Sequence, residues 1–204
     1  MARTALMAMA AVLAPLALAS AGPAAAGEAF AGLYAHDVDD GISYGKFEHG
    51  AQIVAGVRTT ALDELAFLGK PRVHLLAGVN TAGGVDYVAS GLAWRFNLAK
   101  RVYIQPGIGL AIHDNRVAFP SPDEPGITPA ERLKRLNDFK TKLDLGSRVL
   151  FEPELSLGWK ATERLSLELS WIHLSHARLA GHYNPGVADV GLRLSYRYGL
   201  DRGY

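Results

Sequence analysis

The chain has 204 residues, no cysteine, and 21 basic against 20 acidic side chains. This excludes a disulfide scaffold, a thiolate metal site and a cysteine nucleophile, and it offers no basic surplus for binding nucleic acid. Apolar residues at 49% argue against disorder, and 22 glycines with 10 prolines favour a turn-rich β protein.

The first predicted element is a leader. Arg3 precedes an uncharged apolar run from Ala5 to Ala19, and Ala24-Ala25-Ala26 supplies small residues for cleavage. The run is short for a bilayer span and is broken by Pro15, so it reads as a signal peptide over 1–26. The remainder, 27–204, is expected to be exported. It contains no further apolar run long enough for a membrane helix. That leaves a soluble exported protein or a barrel in the outer membrane.

From here the hydrophobic period is 2. Alternation predicts eight strands near 28–38, 49–60, 72–81, 84–97, 100–113, 147–159, 163–176 and 186–199. Asp39-Asp40-Gly41, Gly69-Lys70-Pro71, Gly83-Gly84 and Asn97-Leu98-Ala99-Lys100 mark turns between them. In the fifth strand Val102, Ile104, Ile108, Leu110 and Ile112 share one face, opposite Tyr103, Gln105, Gly107 and Gly109. In the seventh, Leu165, Leu167, Leu169 and Trp171 oppose Arg164, Ser166, Glu168 and Ser170. One face is lipid-like and the other carries charge and glycine. Each strand also has the length a tilted membrane strand needs. The fold predicted is all-β, an eight-stranded antiparallel transmembrane barrel. A periplasmic N-terminus places 39–48, 82–84, 114–146 and 177–185 outside. The longest connection contains Thr128-Pro129-Ala130-Glu131, a capping box with proline at the first helical position, which predicts a helix over 129–139.

The chemically informative stretch is Trp171-Ile172-His173-Leu174-Ser175-His176-Ala177, at the outer end of the seventh strand. His173 and Ser175 are two apart and point to the same side, the lipid-facing one. Polar residues on such a stripe are a functional-site hypothesis, and a histidine beside a serine can activate the hydroxyl for acyl transfer. The plain alternative is a pair of interfacial polar residues with no activity. Elsewhere, Arg132, Lys134, Arg135, Lys140 and Lys142 make the long loop basic, either for phosphate groups or as a solvated face. His36, Asp37, Asp39 and Asp40 read as an Asp-rich turn or a loose hard-cation site. Glu152, Glu154, Glu168, Arg193 and Arg197 fall on interior faces, as a charged network filling a narrow barrel.

His173-Leu174-Ser175-His176-Ala177, Asn184-Pro185-Gly186 and the last strand ending Tyr196-Arg197-Tyr198 together resemble the lipid A 3-O-deacylase family of PagL-type outer-membrane esterases. The resemblance implies an eight-stranded barrel that removes the ester-linked 3-position acyl chain of lipid A in the outer leaflet. It implies His173 as base, Ser175 as nucleophile, lipopolysaccharide as substrate, an outer-membrane location and no cofactor, metal or nucleic acid; it leaves a homodimer open. Two departures stand out. The family reads His-x-Ser-Asn-Ala, its asparagine helping to form the oxyanion hole, where this chain has His176; His176 and Asn184 become the candidate supporting groups. The family's acid follows the Asn-x-Gly, where this chain has Ala188. Asp189, the next residue, is the candidate third member, provided a bulge near Pro185-Gly186 turns it outward. The alternatives are a non-enzymatic structural barrel and a soluble exported barrel that binds an apolar ligand.

Overall fold

Eight antiparallel strands close on themselves in the computed structural model, which describes residues 26–43, 45, 47–179 and 184–199; the predicted signal peptide otherwise lies outside the described residues. The strands are β1 (Gly27–Ala35), β2 (Ala51–Thr59), β3 (Arg72–Asn80), β4 (Tyr87–Ala93), β5 (Val102–His113), β6 (Val149–Lys160), β7 (Leu165–Leu174) and β8 (Val187–Tyr198). Each pairs with its sequence neighbour, and β1 pairs with β8 to complete the barrel. β4 breaks after Ala93 and resumes its pairing with β5 at Phe96–Asn97. The predicted strands all coincide with observed ones, with slightly trimmed ends.

The alternation divides the wall as expected. Ile53, Leu110, Leu157, Leu169 and Leu192 point outward and are exposed, forming the band that meets lipid. Many inward residues are polar or charged, and these interlock. Arg58 donates to Glu168 through two nitrogens (3.1 and 3.0 Å), and Tyr103 donates to the same carboxylate (2.6 Å). Arg193 bonds Glu168 and Glu154, the latter at 3.1 Å. The Phe30 ring packs against both guanidiniums, with its centroid 4.4 Å from Arg58 and 4.6 Å from Arg193, so each buried cation also gains a cation–π contact. Glu154, Glu168 and Arg193 therefore join the network that alternation placed them in, and Glu152 pairs beside it with His74 at 3.0 Å. Arg58, Glu28 and Arg95 are further members, and His74 a further interior partner, that the sequence did not single out. Glycine makes the room: a Cβ at Gly158 would lie 2.1 Å from the Tyr103 ring.

The long connection after β5 carries α1 (Pro129–Thr141). Thr128 caps it by accepting from the Glu131 N–H at 3.2 Å, as the capping box predicts. Of the five basic residues singled out in this loop, Arg132 pairs with Asp123, Arg135 with Glu131 and Glu124, and Lys142 with Asp138. Those three belong to a self-paired surface. Beyond α1 the chain returns to the barrel mouth, where Leu143 and Leu145 are buried beside Leu150, Ile172, Leu174 and Val187. This apolar plug closes the end of the barrel at which β7 finishes.

Candidate active site

His173 and Ser175 have outward parity, yet only 3% and 8% of their surfaces are exposed. The cover is the connection between β1 and β2. Leaving β1, the chain crosses the start of β8, where the Val38 N–H donates to the Ala188 carbonyl at 2.9 Å. It then lays Asp40 and Ile42 beside the end of β7. The result is an outward-opening groove of about 590 Å³, bounded by Ile42, Ile108, Phe151, Pro153 and Trp171, with His173 and Ser175 in its wall. The backbone of Ser175 is fixed to β6: Phe151 N–H donates to Ser175 O at 2.8 Å, and Ser175 N–H to Phe151 O at 3.2 Å.

Just past Ser175 the chain turns sharply. Ala177 and Arg178 both have positive φ, and Leu179 N–H donates to His176 O at 2.9 Å. Positive φ at both central positions is the type I′ pattern, uncommon for residues other than glycine, asparagine or aspartate. This strained turn brings Arg178 to the groove opposite Asn184.

The imidazole of His173 is held on one side. Its Nδ1 lies 3.2 Å from Asp40 Oδ2, and its ring stacks on Trp171 with centroids 5.8 Å apart. Trp171 Nε1–H donates to the same Asp40 oxygen at 2.9 Å. The other carboxylate oxygen, Oδ1, accepts from Ile42 N–H (2.9 Å), Ser43 N–H (2.7 Å) and the Ser43 hydroxyl (2.9 Å). Burial pushes the Asp40 carboxyl up, but the bonds from Ser43, Ile42 and Trp171 outweigh it and hold the group at about 2. Asp40 is therefore ionised at any physiological pH. An ionised carboxylate only accepts, so it favours a proton on His173 Nδ1 and leaves Nε2 as the acceptor of a neutral ring. Nε2 is buried and has no hydrogen-bond partner among the described residues.

The family model for lipid A 3-O-deacylase (PagL) matches residues 64–197, well over half the chain and the whole of β3 to β7 with most of β8. The chain belongs to the lipid A 3-O-deacylase family. Among solved structures, the crystal structure of the outer membrane enzyme PagL superimposes with a TM-score of 0.54 at 17% identity, covering 83% of this chain and 98% of that one. Neisserial surface protein A matches with a TM-score of 0.49 at 10% identity (87% and 99% covered), and a de novo designed transmembrane β-barrel with 0.48 at 7% (84% and 95% covered). No curated protein matches. This deacylase-family chain is accordingly an outer-membrane β-barrel, as the strand pattern predicts.

Against the family's pattern, the structure corrects two expectations, for Asp189 and for His176. Asp189 does not turn toward His173. The β7–β8 ladder runs without a bulge, pairing Leu174 with Val187, His173 with Ala188 and Ile172 with Asp189. Strict alternation sends Asp189 inward, where it takes His36 Nδ1 at 2.7 Å and the Tyr87 hydroxyl at 3.1 Å. His36 meets Glu48 at 2.9 Å through its other nitrogen. Gly186 absorbs the turn at φ +64° rather than by adding a residue to the ladder. His176 also has inward parity. Its ring lies against Gly146, where a Cβ would be 2.6 Å from Nε2, and it does not line the groove. Asn184 does line the groove, and its Oδ1 accepts from the His176 backbone N–H at 3.2 Å.

Asp40 is the residue that sequence reasoning placed elsewhere, as part of an Asp-rich turn. That reading is correct locally, since Asp39 and Asp40 both accept from backbone N–H groups two residues on. Its contact with β7 spans 133 residues of sequence and depends on the connection crossing β8. No local pattern announces such a contact.

Proposed function

We propose that this protein hydrolyses the ester-linked acyl chain at the 3 position of lipid A by a serine–histidine mechanism. The supporting observation is the imidazole of His173, with Nδ1 occupied, Nε2 unpartnered, and Ser175 beside it in the wall of one apolar groove. Family membership supplies the substrate class. The groove opens toward the lipid-facing side, which suits a substrate that is itself a membrane lipid.

In this reading Ser175 Oγ attacks the ester carbonyl while His173 Nε2 takes its proton. The carbonyl becomes an oxyanion, for which the Asn184 amide and the Arg178 guanidinium are the donors lining the groove. Collapse of the intermediate expels the 3-hydroxyl of the glucosamine, and His173 returns the proton to that oxygen. Water, deprotonated by the same imidazole, then attacks the acyl-serine, releases the fatty acid and restores Ser175. The acyl chain lies along Ile42, Ile108 and Pro153, where each buried CH₂ contributes about 0.8 kcal/mol to binding. No step needs a metal or a cofactor.

The test is purified protein in detergent with lipopolysaccharide as substrate, following fatty-acid release. Ser175→Ala is expected to abolish release while the barrel still shows heat-modifiable migration. Substantial activity in folded Ser175→Ala contradicts the serine mechanism.

A further inference from the structure

We propose that Asp40, carried on the connection between β1 and β2, is the positioning residue that holds His173 in the tautomer able to accept the proton of Ser175. This deepens the esterase reading and rests on it. The acid is thus supplied by a loop folded over the outside of the barrel, not by the strand paired with β7.

The geometry is specific. On the outward face, the residue directly across from His173 is Ala188, which has no group to offer. The adjacent acid, Asp189, is committed to His36 and Tyr87 on the inward face. Asp40 is the carboxylate bonded to His173 among the described residues. It is also built in place before any substrate arrives. Its Oδ1 is saturated by three donors from Ile42 and Ser43, its Oδ2 is shared by Trp171 and His173, and 9% of its side chain is exposed. The loop that carries it is pinned on both sides. Val38 bonds Ala188, and Asp37 Oδ2 accepts from Phe47 N–H (2.6 Å) and Glu48 N–H (2.8 Å). Asp40 also precedes residues 64–197, the span matched by the family model, so family membership does not assign it this role.

The chemistry of the amide substitution makes the role testable. In Asp40→Asn the loop donors keep their acceptor at Oδ1, so the NH₂ faces His173 Nδ1 and the Trp171 N–H. Donor then opposes donor at both contacts, and the imidazole relieves its own by moving its proton to Nε2, while the Trp171 bond is lost. A ring protonated at Nε2 cannot take the serine proton.

The experiment compares wild type, Asp40→Asn, Asp40→Glu, Asp40→Asn/Ala188→Glu and Ser175→Ala in detergent, with lipopolysaccharide as substrate. The tautomer of His173 is read separately by ¹⁵N NMR of histidine-labelled protein, assigned with His173→Gln. Asp40→Asn is expected to fold, to lose kcat by roughly a hundredfold to ten-thousandfold with KM within a few-fold, and to move the His173 proton from Nδ1 to Nε2. Asp40→Glu, or a carboxylate brought from Ala188 across the ladder, is expected to recover at least about tenfold over Asp40→Asn, a rescue that a merely structural loop contact would not give. Undiminished kcat in Asp40→Asn, an unchanged tautomer, or Asp40→Glu no better than Asp40→Asn overturns the proposal. Activity retained in Ser175→Ala overturns the esterase reading instead, and the NMR measurement still decides whether Asp40 holds the imidazole.

Discussion

Asp189 and His173 stand on opposite faces of the barrel wall, although a single step of register separates them. His173 pairs with Ala188 and looks outward; Ile172 pairs with Asp189, which looks inward to His36 and Tyr87. Two neighbouring positions on one strand thus serve two structures, the groove outside and the polar contacts of the interior. They are linked through the chain itself. His36, which Asp189 holds, begins the connection that delivers Asp40 to His173 four residues later.

Asp189→Asn is therefore expected to act at a distance. It weakens the grip on His36 and loosens the connection, but leaves the Asp40–His173 contact chemically intact. The kcat loss should be smaller than in Asp40→Asn, accompanied by faster hydrogen exchange at Val38, Ile42 and Ser43. A loss as large as that of Asp40→Asn, with those amides still protected, would return Asp189 to the catalytic machinery.

The same contact predicts a pH dependence. Burial pulls the His36 imidazole down, but its bonds to Asp189 and Glu48 carry it up to about 9 from the ordinary 6.5. A group whose pKa is raised in the folded state stabilises that state fully below its unfolded value, and the contribution fades as pH rises through the folded value. Resistance of the outer end to urea or proteolysis should be constant below about 6.5 and should fall between about 6.5 and 9. His36→Gln should flatten this dependence. An unchanged slope in the variant assigns it to another group.

Gly186 adopts φ +64°, and a Cβ there would approach His173 Cε1 to 3.0 Å. Gly186→Ala combines a backbone cost of about 1–2 kcal/mol with pressure on the imidazole. The barrel should fold with a lowered unfolding midpoint and a kcat reduced beyond what the stability change explains. Wild-type kcat in folded Gly186→Ala would mean that the ring has slack the structure does not suggest.

The floor of the groove offers a specificity test. Ile108 is outward-facing and about half exposed, and it lines the groove with Pro153. Ile108→Trp fills the space assigned to the acyl chain. It is expected to lower kcat/KM for long-chain esters by roughly 10- to 200-fold while sparing short-chain ones, the usual range for pocket contacts of this size. Equal effects on both chain lengths would place the acyl group elsewhere.

Much of this was legible in the sequence because β-barrel walls obey a local rule. A period of 2 over long strands places Leu110, Leu157 and Leu192 outside and Glu154, Glu168 and Arg193 inside without knowledge of tertiary contacts. Thr128-Pro129-Ala130-Glu131 likewise specified α1 locally. The same parity put His173 and Ser175 on one side. It also argued against Asp189, and the bulge invoked to rescue that residue is absent. What escaped was the cover: a site with outward parity is buried because a connection crosses a neighbouring strand, and turn chemistry at Asp39-Asp40-Gly41 does not reveal where the turn will land. Arg58 and Glu28 escaped for a related reason, since Glu168 and Arg95 reach them from distant strands across the barrel interior.

The most direct test of the deacylase reading is mass spectrometry of lipid A from Gram-negative cells that express the protein, that express Ser175→Ala, or that lack it. The account predicts that only the wild-type protein yields lipid A lighter by one ester-linked acyl chain, with fragmentation assigning the loss to position 3. Lipid A identical in all three, with the wild-type barrel folded in the outer membrane, would contradict it, as would loss of a chain from any other position.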